Sequence, residues 1–316
     1  YFYGYRERAN AWGFFKWVQL IIEKRALDDG RLLWSIAENE NFGGQGPEGS
    51  AINDSGYFTT AYRMYSEFNH RGVIQKRNLN TGSRTWEVQA APTSGATVND
   101  IYSTTDIEVD STGIYVGGWS FADPSNDWTS KWVVQKRRLS DGAKTCGSCW
   151  SKTSDSYLPP PGAHPDLEMV QKLRLDSTGV YATGMTQFTI FPDWIVKSRI
   201  EKRNLNNGSL IWEYNTPGSV DVELILYSMA AHSSGAYIPI RNLPGESAPI
   251  LGAQRRDSQT GSVLGNYRFT PDDAGLGAIT VDVTGIYGSG GDRTLGAGNN
   301  QWRIKKFGPV VRDGCT

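Results

Sequence analysis

One hairpin is written repeatedly along this chain, and that repetition restricts its fold more than any other feature. Its clearest copy is Ile200–Tyr214, two strand-like segments joined at Asn207-Gly208, with Lys202-Arg203 on the first and Trp212 on the second. Equivalent turns fall at Asp29-Gly30, Thr81-Gly82, Asp141-Gly142, Thr260-Gly261 and Asp313-Gly314, spaced 52 to 66 residues apart. A basic pair precedes each: Lys24-Arg25, Lys76-Arg77, Lys136-Arg137, Arg255-Arg256 and Lys305-Lys306. Trp34, Trp86 and Trp150 stand where Trp212 does, whereas the fifth copy has Gly265-Asn266-Tyr267. A period of this size is the signature of stacked units that cannot bury their apolar faces alone.

A second hairpin alternates with the first. It reads Ile107-Glu-Val-Asp-Ser-Thr-Gly-Ile-Tyr-Val-Gly-Gly-Trp119, with relatives at Leu173–Gly184 and Ile279–Gly288 and weaker copies at Ala51–Tyr62 and Met229–Ile240. Its turns are Asp110-Ser-Thr-Gly113, Asp176-Ser-Thr-Gly179 and Asp282-Val-Thr-Gly285, with Asp54-Ser-Gly56 and His232-Ser-Ser-Gly235 as variants. Asp or Ser opens such turns by accepting from nearby backbone N–H groups, and Gly takes the unusual φ.

The two hairpins together make a four-stranded unit of about 50 to 65 residues, the size of a propeller blade. The strands are a before the Asp-x-Thr-Gly turn, b after it, c with the basic pair and d with the Trp. The expected fold is all-β, a six-bladed β-propeller in one domain spanning 1–316. Its repeats run 1–47, 48–92, 93–153, 154–217, 218–271 and 272–316. The chain opens on a b strand and closes after a c strand, Trp302–Phe307. Either the end blades hold three strands or sequence lies upstream. Tyr1, with no initiator Met or leader, reads as the start of a processed or truncated chain. The expected variable segments are Phe121–Lys131, Ser289–Gln301 and the Pro-rich Ser154–Pro165.

Composition narrows the partners. Thirty-two Lys and Arg against 33 Asp and Glu leave a net charge of −1, so no global field attracts nucleic acid. No apolar run reaches the 18 or so residues a membrane span needs. Aromatics at 12% and 36 glycines suit short strands and turns.

Each recurrent residue has a structural and a functional meaning. Trp34, Trp86, Trp150 and Trp212 are expected between blades rather than on a sugar platform, since a ligand rarely needs one residue in every repeat. The basic pairs are expected to send one member into the packing layer and the other to solvent, because side chains alternate along a strand. Asp54, Asp110, Asp176 and Asp282 are one acid per turn and read as turn chemistry rather than metal ligands.

Cys146-Gly-Ser-Cys149 occupies an insertion before Trp150. It lacks the His of a haem site and the second pair of a zinc site. The expected state is a local Cys146–Cys149 disulfide, with free thiols as the alternative, and Cys315 is left over. His70, His164 and His232 lie in separate repeats with no hydrolase or metal arrangement around them. Asn53-Asp-Ser55 and Asn207-Gly-Ser209 match glycosylation acceptors.

Ile-Tyr-Val-x-Gly, Asp193-Trp-Ile-Val196, Lys-Arg-Asn-Leu-Asn-x-Gly and Leu-Ile-Trp resemble secreted bacterial and archaeal β-propeller repeats, and also quinoprotein-like propellers. The resemblance covers the whole chain, but through architectural motifs. It implies a propeller and no particular reaction. The expected function is an extracellular or cell-surface scaffold that binds a protein or glycan partner at a loop face, suited to a larger polypeptide or assembly. No catalytic residue, metal or cofactor is assigned. Trp119, Trp128 and Trp194 are the candidate ligand contacts. The competing readings are a quinoprotein-type dehydrogenase, a glycan-active enzyme and a carbohydrate-binding lectin.

Overall fold

The computed structural model of the chain describes residues 1–9, 16–43, 47–66, 69–90, 100–123, 126–145, 150–153, 164–190, 193–216, 223–224, 228–241, 251–268, 273–292 and 301–307. The chain divides into two compact units, Tyr1–Ser156 and Tyr157–Thr316. Among the described residues every regular element is a strand, and the strands form six antiparallel sheets.

The first unit holds three sheets. Sheet 1 is β1 (Phe2–Ala9), β2 (Lys16–Arg25) and β3 (Leu32–Gly43). Sheet 2 is β4 (Pro47–Asn53), β5 (Gly56–Ser66), β6 (Asn69–Arg77) and β7 (Arg84–Gln89). Sheet 3 is β8 (Ser103–Val109), β9 (Ile114–Asp123), β10 (Asn126–Arg137) and β11 (Ser151–Thr153). In the second unit, sheet 4 is β12 (His164–Asp176), β13 (Gly179–Ile190), β14 (Asp193–Arg203) and β15 (Leu210–Asn215). Sheet 5 splits its a strand into β16 (Glu223–Leu224) and β17 (Ala230–His232), both on β18 (Gly235–Arg241), followed by β19 (Leu251–Arg256) and β20 (Val263–Arg268). Sheet 6 is β21 (Asp273–Asp282), β22 (Gly285–Asp292) and β23 (Gln301–Phe307). Each is the up-and-down meander of a propeller blade, and the first and last have three strands among the described residues.

The apolar core is a series of joints between consecutive sheets. Leu20 and Ile22 of sheet 1 pack with Tyr57, Ala61 and Val73 of sheet 2. Phe58 and Ile74 of sheet 2 pack with Ile107, Ile114, Val116 and Val133 of sheet 3. In the second unit Tyr181, Ile200 and Trp212 meet Met229, Ala236 and Ile238, while Tyr237 and Ala253 meet Ile279 and Ile286. The β-branched and aromatic residues that favour strands therefore supply the adhesive between strands' sheets as well.

The a–b turns follow the expected chemistry. In the third and fourth blades Asp110 and Asp176 accept through Oδ1 from the backbone and hydroxyl of the Thr two places on and from the Gly N–H. Their Oδ2 atoms accept from Tyr115 and Tyr181. His232 takes the same role, with Nδ1 accepting from the Ser234 N–H. Sheet 2 differs by one residue: Asn53, and not Asp54, is the turn opener, its Oδ1 accepting from Ser55. Asn53 Nδ2 also donates to the Asp110 carbonyl in the next sheet.

The basic pairs depart from expectation. In sheets 3, 4 and 5 neither member is solvated: Lys136, Arg137, Lys202, Arg203, Arg255 and Arg256 are all buried, and in sheet 2 Arg77 is buried and Lys76 half-buried. Both point into joints, but into different ones. The sixth copy is also shifted by one, because Lys306 stands opposite Tyr287 as Lys202 does opposite Tyr181, placing Phe307 where the others have Arg. Phe121–Lys131 is not a loop either, since the β9–β10 ladder continues to Asp123 and Asn126.

Candidate functional site

The joints account for most of the recurrent chemistry. In three pairs the Lys reaches forward, whereas Lys136 donates to Thr112 and Arg255 to the Ser234 carbonyl of their own blades. Lys24 Nζ donates to the Leu79 carbonyl at 2.9 Å, Lys76 to Leu139 at 3.2 Å and Lys202 to Ser258 at 2.6 Å, each in the next blade's c–d turn. The same ammonium groups sit over aromatic rings of their own b strands, as Lys202 does over Tyr181 at 4.8 Å. Burial holds the Lys76, Lys136 and Lys202 ammonium groups below the usual lysine range. The Trp joins them: Trp34 Nε1 donates to the Leu79 carbonyl and Trp212 Nε1 to that of Ser258.

The Arg reaches backward. Its Nη1 donates to the carbonyl of its own turn glycine five residues on, from Arg25 to Gly30, Arg77 to Gly82, Arg137 to Gly142, Arg203 to Gly208 and Arg256 to Gly261. The rest of the guanidinium meets the preceding blade. Arg77 pairs with Glu38 at 2.7 Å, Arg137 donates to Ala90 and Arg256 lies 3.7 Å from the Tyr214 ring centroid. Two residues before four of these five Arg, Glu23, Gln75, Gln135 or Glu201 accepts from it on the same strand face. These side chains are thereby engaged in holding blades together.

The candidate ligand residues lie at the other end of the sheets, on the b–c hairpins. Trp119 in β9 is half-buried, stands opposite Trp132 and has its ring centroid 5.2 Å from Tyr102 at 42°. Trp132, its cross-strand partner on the same sheet face, is fully buried. The Tyr102 N–H donates to the Trp119 carbonyl at 2.8 Å, tying the start of the a strand to this hairpin. Tyr102 was not singled out by sequence, since it belongs to no repeat motif; its place just upstream of an a strand that pairs with Trp119 is the only available signal.

Trp128 lies on β10 near the tip of the same hairpin, and Trp194 on β14 opposite Thr189 near the tip of the β13–β14 hairpin. Their side-chain placement lies outside the described residues, as do Cys146, Cys149 and Cys315. Trp119 and Trp128 share one hairpin of the first unit, while Trp194 belongs to the second unit. The backbone of His70 and His164 lies in β6 and β12.

Chemically, a half-buried pair of aromatic rings offers a stacking surface with polar tips, suited to a sugar face or a protein side chain. Among the described residues there is no group of three or more His, Cys, Asp or Glu placed to hold a metal ion. Nor is any described helix long and apolar enough to cross a membrane.

No protein-family model matches the chain, and no curated protein matches it. Solved structures match at low identity. A quinohemoprotein alcohol dehydrogenase from Pseudomonas putida HK5 is 14% identical with a TM-score of 0.46, over 96% of this chain and 54% of that one. The chain thus spans about half the length of that dehydrogenase. A chain of a mitotic checkpoint complex is 12% identical with a TM-score of 0.49, over 95% and 75% of the two chains. A thermostable family-43 glycoside hydrolase is 12% identical with a TM-score of 0.41, over 84% and 90%. The proteins named differ in activity, and likenesses at this level transfer none of it.

Proposed function

We propose that this protein is a binding module, extracellular or at the cell surface, whose b–c hairpins engage a protein or glycan partner. The observation that carries the proposal is the division of labour within each blade. The repeated Lys, Arg, Trp and Asp are engaged in joints and turns. The b–c hairpins, by contrast, differ from blade to blade, and one carries the half-buried Trp119, in ring contact with Tyr102 and opposite the buried Trp132. Binding surfaces are placed on such variable connections over a rigid scaffold.

The test is a screen of the purified chain against immobilised glycans and extracellular proteins, repeated with Trp119→Ala and Tyr102→Ala. Selective retention that both substitutions weaken about tenfold or more supports the proposal, as for aromatic hot spots elsewhere. Retention unaffected by either would overturn the assignment of this surface. An absorption spectrum of protein from its native source that reveals a bound quinone would replace the binding module with an oxidoreductase.

A further inference from the structure

The c–d turns of sheets 1 to 5 share one hydrogen bond, and one of them makes it with a reactive group. In each, the residue before the left-handed glycine accepts through its side chain from the N–H two places on. Asp29 accepts from Arg31, Thr81 from Ser83, Asp141 from Ala143, Asn207 from Ser209 and Thr260 from Ser262. Two acids, two hydroxyls and one amide therefore fill the same place. Asn207-Gly208 is also the one Asn-Gly step in the sequence.

The amide carbon of Asn207 is an electrophile beside the backbone nitrogen of Gly208, and glycine brings no Cβ to obstruct their approach. Asn207 is exposed, so water reaches it. The Ser209 N–H lies 2.9 Å from Asn207 Oδ1, placed to stabilise negative charge that develops on this oxygen during attack. One contact opposes the reaction. The Gly208 N–H donates to the Asn204 carbonyl at 2.9 Å, and the turn holds Gly208 at a φ of 69°. The nitrogen must leave that bond, through local opening of the turn, before it can attack.

We propose that Asn207 is a self-modification site, converted to an acid by the Gly208 nitrogen at a rate set by opening of its turn. The bond from Gly208 N to Asn207 Cγ forms and the Cγ–Nδ2 bond breaks. The amide nitrogen leaves as ammonia, carrying the proton lost from Gly208 N. Water then opens the cyclic imide. Cleavage between Gly208 N and Cγ gives aspartate, whereas cleavage between Gly208 N and the main-chain carbonyl carbon gives isoaspartate. Aspartate fits the turn, because Asp29 and Asp141 already hold the equivalent place. Isoaspartate lengthens the backbone by a methylene and displaces the Gly208 carbonyl that buried Arg203 meets at 3.0 Å. It also disturbs the entry to β15, whose Trp212 packs on Gly261. The site shares no residue with the Trp119–Tyr102 pair, so the proposal does not depend on the hairpin surface.

The test follows the full chain at mildly alkaline pH, folded in buffer and unfolded in urea, by peptide mass mapping and an isoaspartyl methyl-acceptor assay. Acid is expected at Asn207, forming at least about tenfold more slowly in the folded chain, and none at that position in Asn207→Gln. Asn207→Asp should keep the urea midpoint of the parent. Chain aged in urea and refolded should contain a less stable population that Asn207→Gln, aged likewise, lacks. Equal rates in the two states, acid only at other asparagines, or a destabilised Asn207→Asp would each overturn the proposal.

Discussion

Trp212 packs directly on Gly261 of the next blade, so closely that a Cβ at Gly261 would lie 2.6 Å from the indole Cε3. The same contact joins Trp34 to Gly82 and Trp86 to Gly142, and all three glycines hold φ near +70°. Two demands therefore meet at one residue: the turn needs a left-handed backbone, and the neighbouring indole needs the space. Gly261→Ala should lose about 1 kcal/mol to the first. Overpacking against the indole should add roughly 1–3 kcal/mol. Gly265→Ala is the comparison, because nothing lies within 4 Å of a Cβ there and its φ is ordinary. It should change stability by less than about 1 kcal/mol. Urea denaturation of the two variants decides the matter, and equal midpoints would refute the packing account.

Lys202 and Trp212 place two donors on one acceptor, the Ser258 carbonyl, at 2.6 and 3.2 Å. Removing either leaves the other to satisfy that oxygen, so the losses should not add. Lys202→Met and Trp212→Phe should each cost about 1–2 kcal/mol, with a coupling of at least about 0.5 kcal/mol in the double-mutant cycle. Strict additivity would mean that the shared carbonyl contributes nothing to the joint.

The arginines should be unequal despite occupying one repeat position. Arg203 is buried, donates to Gly208 and meets both carboxylate oxygens of Glu201, which is 0% exposed. Arg203→Met strips charge from a buried pair and should cost about 3–5 kcal/mol. Arg25 makes the same turn contact with its side chain 39% exposed, and its pair with Glu23 is near the surface. Arg25→Met should cost less than about 1 kcal/mol. Thermal unfolding of both variants tests the ranking.

These contrasts mark where the sequence was readable. The turn at Asp110-Ser-Thr-Gly113 is local chemistry, so four residues suffice to announce it, and the strand order follows from how such turns alternate. The joints are not local. Nothing in Lys202-Arg203 says that one side chain reaches forward to Ser258 while the other turns back to Glu201 and Gly208 of its own blade. Strand alternation alone suggested that one of them would meet solvent; a blade packed on both faces buries both. Asn53 and Asp54 both favour turn openings, and only the ladder at Asn53–Gly56 selects the first. Phe307 was hidden because Lys305-Lys306 mimics a basic pair one place early. The Trp119–Tyr102 contact joins residues 17 apart through a strand pairing that no motif encodes.

Alkaline pH should act on the joints through their tyrosines. Burial, followed by the hydrogen bond and charge of Asp176, raises the Tyr181 hydroxyl above its ordinary 10.0, and burial chiefly does the same at Tyr115. Above pH 10 the unfolded chain releases these protons while the folded chain keeps them. Their contribution is therefore complete below pH 10 and falls as pH rises beyond it, by up to about 1.4 kcal/mol per pH unit for each tyrosine. Lys136 and Lys202 act in the opposite sense, because burial lowers them below 10.5 and the unfolded chain binds more protons just under that value. Stability should rise gently towards pH 10 and decline beyond about 10.5. Tyr181→Phe removes one titrating group and should flatten the decline, whereas Lys202→Met should flatten the rise. Urea midpoints from pH 8 to 11.5 check both limbs, and a decline equally steep in Tyr181→Phe would show that the hydroxyl held by Asp176 is not what alkali attacks.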